Sequence, residues 1–210
     1  GSAAGVVQLG RWGEGWPGAA AALEGRNIVR VHVVVPEGFD HPGQPSGGNI
    51  YDRRVCAGLA EAGWEVLVEK VAAPWPAPGS GARADLARIV SAIPDGETVL
   101  IDGLIASLAA AQLLPHAGRI RMTVLLHMPL ATVLDAHHDA SAQRSERAVL
   151  RAATGVVVTS EWTRQQVLTA TWMTKMALPR LGRPAVAAWF STAARHSLGG
   201  VYELPHGVGS

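Results

Sequence analysis

The sequence predicts an α/β fold in which a mostly parallel sheet is doubly wound and carries helices on both faces. Two observations predict this class. Short β-branched apolar runs alternate along the chain with segments whose apolar residues recur at helical spacing. Strands that alternate with helices pair in parallel through right-handed crossovers. The predicted sheet is therefore Rossmann-like, and ligands are expected beyond the carboxyl ends of its strands.

The individual elements follow from these patterns. Continuous apolar runs predict strands at 28–36, 64–71, 98–101, 120–126, 155–159 and 201–204. Helical spacing predicts a first helix that opens near Gly47, carries apolar residues from Tyr51 to Ala62 and closes at Gly63. Further helices are predicted at 85–93, 107–114, 141–153 and 161–169, and the Pro- and Gly-rich stretch 73–81 is predicted as a loop.

Composition limits the class of protein. Of the 210 residues, 48% are hydrophobic and 17% are charged, which is typical of a folded domain with a well-buried core. The formal net charge of +1 gives no reason to expect nucleic acid as a partner. The single cysteine, Cys56, suits a reducing cytosol. No apolar stretch reaches the roughly 20 residues of a membrane span, and no signal peptide is recognisable. A cytoplasmic protein is expected, and high Ala, Gly, Arg and Val suggests a GC-rich bacterial genome.

Domain organisation is predicted from the same patterns. Residues 1–26 are Gly, Ala and Trp rich without a sustained period, and we interpret them as an irregular lead-in or a segment added for expression. Residues 27–204 are predicted to form one Rossmann-like domain. Residues 205–210 are predicted to begin a linker. Strand signals are weak from 170 to 200, so no detailed structure is predicted there.

Gly47 and Gly48 lie between the first strand and the first helix, where many proteins hold a phosphate. Glycine lets the backbone approach a ligand, and free amides at a helix start can face an anion. The spacing fits neither G-x-G-x-x-G nor G-x-x-x-x-G-K-[ST], and the loop 37–48 is too long for a tight dinucleotide turn. Phosphate binding and a flexible surface loop both remain open.

Polar residues follow three other predicted strands. His127 ends its strand before Met128-Pro129, a placement suited to acid–base work or to hydrogen bonding a hydroxyl. A half-buried histidine bonded to backbone is the alternative. Asp102 is placed likewise, with helix capping as its alternative. Ser160 and Glu161 follow the fifth strand, and a helix cap is the favoured interpretation of Ser160.

Two further segments were weighed as sites. Adjacent side chains of His137-His138-Asp139 point in different directions, and no Cys or further His falls at ligand spacing, so no metal site is predicted. No G-x-S-x-G nucleophile elbow is present. The segment 164–195 is basic and interleaved with aromatic residues, which suits peripheral contact with an anionic membrane or a phosphorylated acceptor. A solvated face of two helices is the alternative. The basic residues of this segment are Arg164, Lys175, Arg180, Arg183 and Arg195, and its aromatic residues are Trp172, Trp189 and Phe190.

Four stretches carry a resemblance to a known family. They are "PSGGNIYDRRVCAGLAEAGWEV", "VLLHMPL", "SERAVLRAATGVVVTSEWTRQQV" and "YELPHGV". In this order and spacing they resemble the amino-terminal domain of family 4 retaining glycosyltransferases, which have the two-domain GT-B architecture. The likeness runs from about residue 29 to 208 and is poor from 170 to 200.

The resemblance implies a function and a set of site residues. Gly47, Gly48 and Asn49 would approach the diphosphate of a UDP- or GDP-sugar donor, with Ser160 and Glu161 beside it. His127 would lie near the transferred sugar as a hydroxyl partner, and Asp102 would join it as a catalytic candidate. The donor is then a substrate, and no cofactor or metal is implied. The acceptor is a sugar, lipid or small molecule.

The sequence also departs from that family. Most nucleotide contacts in the family come from a second domain, which these 210 residues do not contain. Gly209 stands where the family usually has an aspartate. The chain is therefore expected to be the acceptor-side half of an enzyme, with little or no transfer alone.

Two other classes remain as alternatives. An NAD(P)-binding domain would require an acid at the end of the second strand, and Glu69 is the closest candidate. A non-catalytic α/β module that binds a partner protein through the Trp-rich ends would show a large exposed apolar patch.

Overall fold

A computed structural model describes residues 29–41, 43, 46–130, 140–169 and 202–203. The expected lead-in 1–26, the linker 205–210, the segment 170–200 and the His137-His138-Asp139 stretch lie outside the described residues. Most of the basic segment lies there too, including its three aromatic residues.

A six-stranded sheet forms the centre of the described chain. Its strands are β1 (Arg30–Pro36), β2 (Glu65–Val71), β3 (Thr98–Asp102), β4 (Arg121–Leu126), β5 (Gly155–Val158) and β6 (Tyr202–Glu203). Their spatial order is β2-β1-β3-β4-β5-β6. The first five strands are parallel, and the short β6 is antiparallel to β5. The predicted fold class is confirmed: a mostly parallel, doubly wound, Rossmann-like sheet with helices on both faces.

Helices cover both faces of the sheet. They are α1 (Gly47–Glu61), α2 (Ser80–Ala92), α3 (Gly103–Leu108), α4 (Ala110–Leu113), α5 (Ala140–Ala152) and α6 (Glu161–Thr169), with 3-10 turns at Glu37–Asp40 and Leu114–His116. Within the described ranges, none of these helices has the length and apolar content needed to cross a membrane.

Alternation along β1 shows why both faces are buried. Val31, Val33 and Val35 pack with residues of α1 such as Leu59, whereas Val34 packs on the opposite face with residues of α2 and α3. A central parallel strand sandwiched between helices is apolar on both faces for this reason. Complete burial of one such side chain stabilises the fold by about 1.5–3 kcal/mol.

Two predicted helices begin earlier in the structure than expected. The helix expected at 85–93 begins at Ser80, so residues 80–81 of the predicted loop are helical. The helix expected at 107–114 begins earlier, at Gly103, and is interrupted at Ala109, where φ is −126°. The physical reason lies at the end of β3. The Asp102 carboxylate accepts a hydrogen bond from the Leu104 amide at 2.7 Å and so starts the helix directly after the strand. Periodicity located the apolar residues but not the first residue of the helix, which the Asp102 cap sets.

The strand order creates a crevice at the carboxyl edge. From β1 the chain crosses through α1 to β2 on one side, and it then returns past β1 to β3 on the other side. The point between β1 and β3 where the winding reverses is where ligands bind in open α/β sheets. The residues after β1, β3 and β4 meet at this edge.

Candidate functional site

Three polar side chains meet at the carboxyl edge, and each comes from a different element. They are Asp52 of α1, Asp102 at the end of β3 and His127 directly after β4. The Nε2 atom of His127 is 2.8 Å from Asp52 Oδ1 and 3.7 Å from Asp102 Oδ2. Asp52 is 1% exposed and Asp102 is 5% exposed, whereas the His127 side chain keeps 20% of its surface. We call these three residues the acid–histidine cluster.

Close packing places Asp102 beside His127. Asp102 pairs in register with Leu125 of β4, two residues before His127. The following residue, Gly103, lies against β4 so closely that an added Cβ would be 2.9 Å from the Leu125 carbonyl oxygen and 3.0 Å from Leu126 Cα. Only glycine allows the start of α3 to approach the strand this closely. The predicted alternative for Asp102, helix capping, therefore coexists with membership of the cluster.

The loop that carries His127 is held at three points. The Thr163 hydroxyl donates to the His127 carbonyl oxygen at 2.7 Å. Glu146, fully buried on α5, accepts a hydrogen bond from the Leu130 amide at 2.8 Å. The Tyr51 ring meets the imidazole edge-on, with ring centroids 5.6 Å apart. These contacts hold the backbone from the His127 carbonyl to the Leu130 amide and pack against the imidazole ring.

Burial and proximity shift the acidity of the cluster. Burial raises the pKa of Asp102 to about 7, and the charge of Asp52 and a hydrogen bond to it act in the same direction. The positive charge of His127 and the Leu104 amide oppose this rise. Burial alone would lower the pKa of His127, but the hydrogen bond and charge of Asp52, with the charge of Asp102, raise it above its ordinary value.

One buried oxygen of the cluster, Asp52 Oδ2, has no hydrogen-bond partner. Asp102 shares a hydrogen bond with Asp52, and its raised pKa favours a proton on Asp102 below about pH 7, which makes Asp102 the donor in that bond. With His127 protonated as well, the cluster then carries no net charge, which is the arrangement that burial in a low dielectric favours.

The glycine pair lies next to this cluster at the start of α1. Ser46 caps the helix by accepting from the Asn49 amide at 3.0 Å. Within the described part of the chain, the Gly47 and Gly48 amides have no acceptor, as expected for the first residues of a helix. A Cβ at Gly48 would lie 3.4 Å from Cδ2 of His127, so this amide is adjacent to the imidazole.

The remaining residues predicted for the site have mixed placements. The Asn49 side chain donates to the Gly38 carbonyl at 3.2 Å and ties α1 to the turn after β1. Ser160 accepts from the Thr163 amide at 3.0 Å, so it caps α6, as the favoured interpretation held. Glu161 is the first residue of α6, and its side chain lies outside the described structure.

Asp52 is the site residue that sequence reasoning missed. It lies four residues after Gly48 and shares a helix face with the buried Val55, Cys56 and Leu59. The sequence does contain a signal for it, an acid on the apolar stripe of an amphipathic helix. Burial of an unpaired carboxylate costs free energy, so an acid at such a position is expected to have a partner.

Three exposed apolar side chains adjoin residues of this site in sequence. Among the described residues, the large hydrophobic side chains left exposed are Val29, Ile50, Leu114, Met128 and Trp162. Ile50 lies in the first turn of α1, Met128 follows His127, and Trp162 precedes Thr163. Scattered exposed hydrophobic residues are common, but three beside one polar cluster form a candidate apolar rim.

The cluster also has the donor atoms of a possible cation site. The ligand atoms of Asp52, Asp102 and His127 lie within 4.8 Å of one another. Two carboxylates and one imidazole are ligands that several divalent metals accept. The same geometry is also that of a hydrogen-bonded acid–base group. Titration with Zn²⁺ or Mn²⁺ distinguishes a metal site from such a group.

Comparisons with known proteins add little to this geometry. The chain matches no protein-family model and no curated protein at a significant level. Among solved structures it is similar to the crystal structure of Arabidopsis thaliana UGT89C1 complexed with UDP, at 13% sequence identity and a TM-score of 0.39. That similarity covers 78% of this chain and 56% of the other, so this chain spans little more than half of it. A likeness of this size decides no function, and the conclusions below rest on the geometry of this chain.

Proposed function

We propose that the chain is the amino-terminal, acceptor-side domain of a retaining glycosyltransferase that takes its sugar from a nucleotide donor. Transfer would require a second α/β domain that holds most of the nucleotide. The observation that carries the proposal is the adjacency of two features at the switch point of the sheet. One is the amides of Gly47 and Gly48, which have no acceptor among the described residues, and the other is the acid–histidine cluster. The sequence resemblance assigns the same residues to the site.

The start of α1 suits the diphosphate of the donor. The helix has 15 residues, and its partial positive charge and free amides attract an anion. During transfer, the bond between the anomeric carbon and the diphosphate oxygen breaks, and negative charge develops on the leaving group. Amides fixed in place stabilise that charge without a metal. Gly47 and Gly48 are assigned this role.

His127 suits a hydroxyl group of the sugar or the acceptor. The partly exposed imidazole lies beside the predicted diphosphate position and is backed by two buried carboxyls. Once deprotonated, above its raised pKa, His127 can accept a hydrogen bond or a proton from a hydroxyl. Asp102 is assigned to the support of His127, because its carboxyl is almost fully buried and is engaged with α3 and the cluster.

The rim suggests an acceptor with an apolar part. Met128 is 50% exposed and directly follows His127. Trp162 is 54% exposed and precedes Thr163, whose hydroxyl donates to the His127 carbonyl oxygen. A lipid-linked or aromatic acceptor would cover them. We place the protein in the cytoplasm, with peripheral contact at the inner face of the membrane through the basic segment 164–195 when the acceptor is a lipid.

The test begins with the reading frame beyond the codon for Ser210. We expect roughly 100–200 further residues with a second α/β pattern, the size of an ordinary domain. The longer protein is expected to release UDP or GDP from a panel of UDP- and GDP-sugars in the presence of an acceptor. His127→Ala should lower turnover by about 10²–10⁴-fold, the usual contribution of an acid–base group.

Two results would contradict the proposal. One is measurable transfer by the purified 210-residue chain without a second domain. The other is stabilisation of the chain by nicotinamide nucleotides but not by UDP or GDP in a melting assay. Glu69, the candidate for binding the ribose, pairs with His32 of the neighbouring strand at 3.2 Å, and a nicotinamide nucleotide would have to compete with that contact.

A further inference from the structure

His127 uses its two ring nitrogens differently. Nε2 points between two buried carboxyls, with Asp52 Oδ1 at 2.8 Å and Asp102 Oδ2 at 3.7 Å. Nδ1 has no hydrogen-bond partner among the described residues, and the side chain keeps a fifth of its surface exposed. Among the described residues, Nε2 is therefore bonded to the protein, whereas Nδ1 has no partner and can bind a ligand.

We infer that Asp52 is a positioning residue, which holds the Nε2–H group of His127 so that Nδ1 is the nitrogen presented to a substrate hydroxyl. The inference deepens the proposed function and rests on it only in naming a hydroxyl as the partner of Nδ1. The tautomer itself is a property of the chain without any ligand.

The direction of the hydrogen bond follows from the donor inventory. An ionised carboxylate can only accept, so the 2.8 Å contact requires a proton on Nε2. A neutral imidazole has one N–H, and placing it on Nε2 leaves a lone pair on Nδ1. The alternative tautomer would set a lone pair of Nε2 against a buried carboxylate, and both atoms would then be unsatisfied.

Gly48 and Tyr51, which contact the imidazole, fix the orientation of the ring. Gly48 faces the Cδ2–Nε2 edge, since an added Cβ would be 3.4 Å and 3.5 Å from those atoms. Tyr51 packs against the ring at a right angle, 81° between planes. A flipped ring would place a carbon against Asp52 Oδ1, so the carboxylate would lose its donor. Nδ1 therefore lies on the edge away from Gly48.

Asp102 has a different part from Asp52. It is 3.7 Å from Nε2, beyond hydrogen-bond distance, and its carboxyl also caps α3. It contributes charge and a shared proton to Asp52, not the contact that selects the tautomer. Among the described residues, the titratable groups packed against the imidazole are Asp52 and Tyr51 from α1 and Asp102 from β3.

The experiment is a long-range ¹H–¹⁵N correlation spectrum of the ¹⁵N-histidine-labelled chain, with His127 assigned from the signal lost in His127→Gln. The expected result is the Nε2–H tautomer for neutral His127. Asp52→Asn is expected to reverse or mix the tautomers, because the amide can donate to Nε2, and to lower the pKa of His127. Asp102→Asn should keep the Nε2–H tautomer. Glu61→Gln, an exposed substitution on the same helix, is the control that should change neither.

Three results would overturn the inference. His127 could be the Nδ1–H tautomer in the unsubstituted chain, or Asp52→Asn could leave both the tautomer and the pKa unchanged in a variant that melts normally. Stoichiometric Zn²⁺ or Mn²⁺ that removes the Nε2–H signal and raises the melting temperature would instead make Asp52 a metal ligand.

Transferase activity then separates this inference from the proposed function. If the longer protein transfers sugar, Asp52→Asn should lower kcat by about 10²–10⁴-fold with little change in KM, because the base is held in the wrong tautomer. If the tautomer is as expected and no transfer occurs, the proposed function fails and the positioning of His127 stands. An unchanged kcat in an active enzyme would show that Nδ1 has no part in the reaction.

Discussion

Two helices begin beside His127, and they begin in opposite ways. α1 opens with Gly47 and Gly48, where an added Cβ would meet nothing within 4 Å or only ordinary contact at 3.4 Å. α3 opens with Gly103, where a Cβ would be 2.9 Å from a backbone carbonyl. Gly47 and Gly48, the pair that stands out in the sequence, leave room for a side chain. Gly103 does not stand out in the sequence, but close packing against β4 requires glycine there. The open start suits a ligand, and the closed start sets the geometry of Asp102.

The largest effect is expected from Gly103→Ala. The methyl group would force the start of α3 away from β4, and overpacking of this kind costs about 1–3 kcal/mol or more. The melting temperature should fall by several degrees, about 2–8 °C on ordinary scaling. Gly47→Ala is the matched control, because its methyl group meets nothing and alanine favours a helix. Equal stability of the two variants would contradict the distinction between the two helix starts.

A pH-dependent effect of similar size is expected from Asp102→Asn. The folded pKa of Asp102 is about 7, well above that of an unfolded aspartate, so the folded state binds more protons between about pH 4 and 7. Stability of the unsubstituted chain should therefore fall as the pH rises through this range. The raised pKa of His127 extends the fall to higher pH.

The asparagine variant should lose most of that slope. Asparagine retains the cap of α3, since Asn and Asp cap helices about equally well. Between pH 5 and 8 the difference in unfolding free energy should change by on the order of 2 kcal/mol relative to the unsubstituted chain. Urea unfolding of both chains at about pH 5 and about pH 8 measures this difference in unfolding free energy. A parallel pH dependence in both chains would show that Asp102 is not the group that titrates.

A smaller effect is expected from Ser46→Ala at the open helix start. It removes the acceptor of the Asn49 amide, and loss of a serine cap typically costs about 1 kcal/mol. Ser80→Ala is the control, since Ser80 is exposed at the start of α2 and makes no cap hydrogen bond there. Chemical melts of the two variants should differ by the cap energy. No difference would mean that α1 does not depend on Ser46.

The smallest effect on stability, within about 0.5 kcal/mol, is expected from Gly48→Ala, since the methyl group makes ordinary contact with the imidazole and alanine is a better helix former. Its effect on function should be larger, because the methyl group lies where the diphosphate would approach the amide. In the longer protein we expect KM for the donor to rise several-fold while the melting temperature is kept. A raised KM at an unchanged melting temperature would show that Gly48 acts in donor binding and not in stability. An unchanged KM would contradict this role of Gly48.

Much of the fold could be predicted from the sequence because its signals are local. The β-branched run of β1 and the helical spacing of α1 are each visible within a dozen residues. The direction of β6 and the break at Ala109 depend on pairing and capping across the fold, so periodicity does not contain them. His127 and Asp102 were found because polar residues at strand ends share one edge of a parallel sheet.

Asp52 and Gly103 could not be found in the same way. Asp52 meets His127 across 75 positions of sequence, and only the folded helix brings the carboxylate under the imidazole. Gly103 is one of many glycines, and its role is set by the backbone of β4. The assignments of Asn49, Ser160 and Glu161 to donor binding stay predictions, as do the domain boundaries.

Titration of the ¹⁵N-labelled chain with UDP tests the central claim most directly. The account predicts that the backbone amide signals of Gly47 and Gly48 shift together with the ring signals of His127, and that NAD at the same concentration leaves them unchanged. Binding is expected to be weak without a second domain, and chemical shifts report weak binding. If UDP leaves all three residues unchanged at saturating concentration, or if only NAD shifts them, the start of α1 is not a nucleotide-sugar site and the account is wrong.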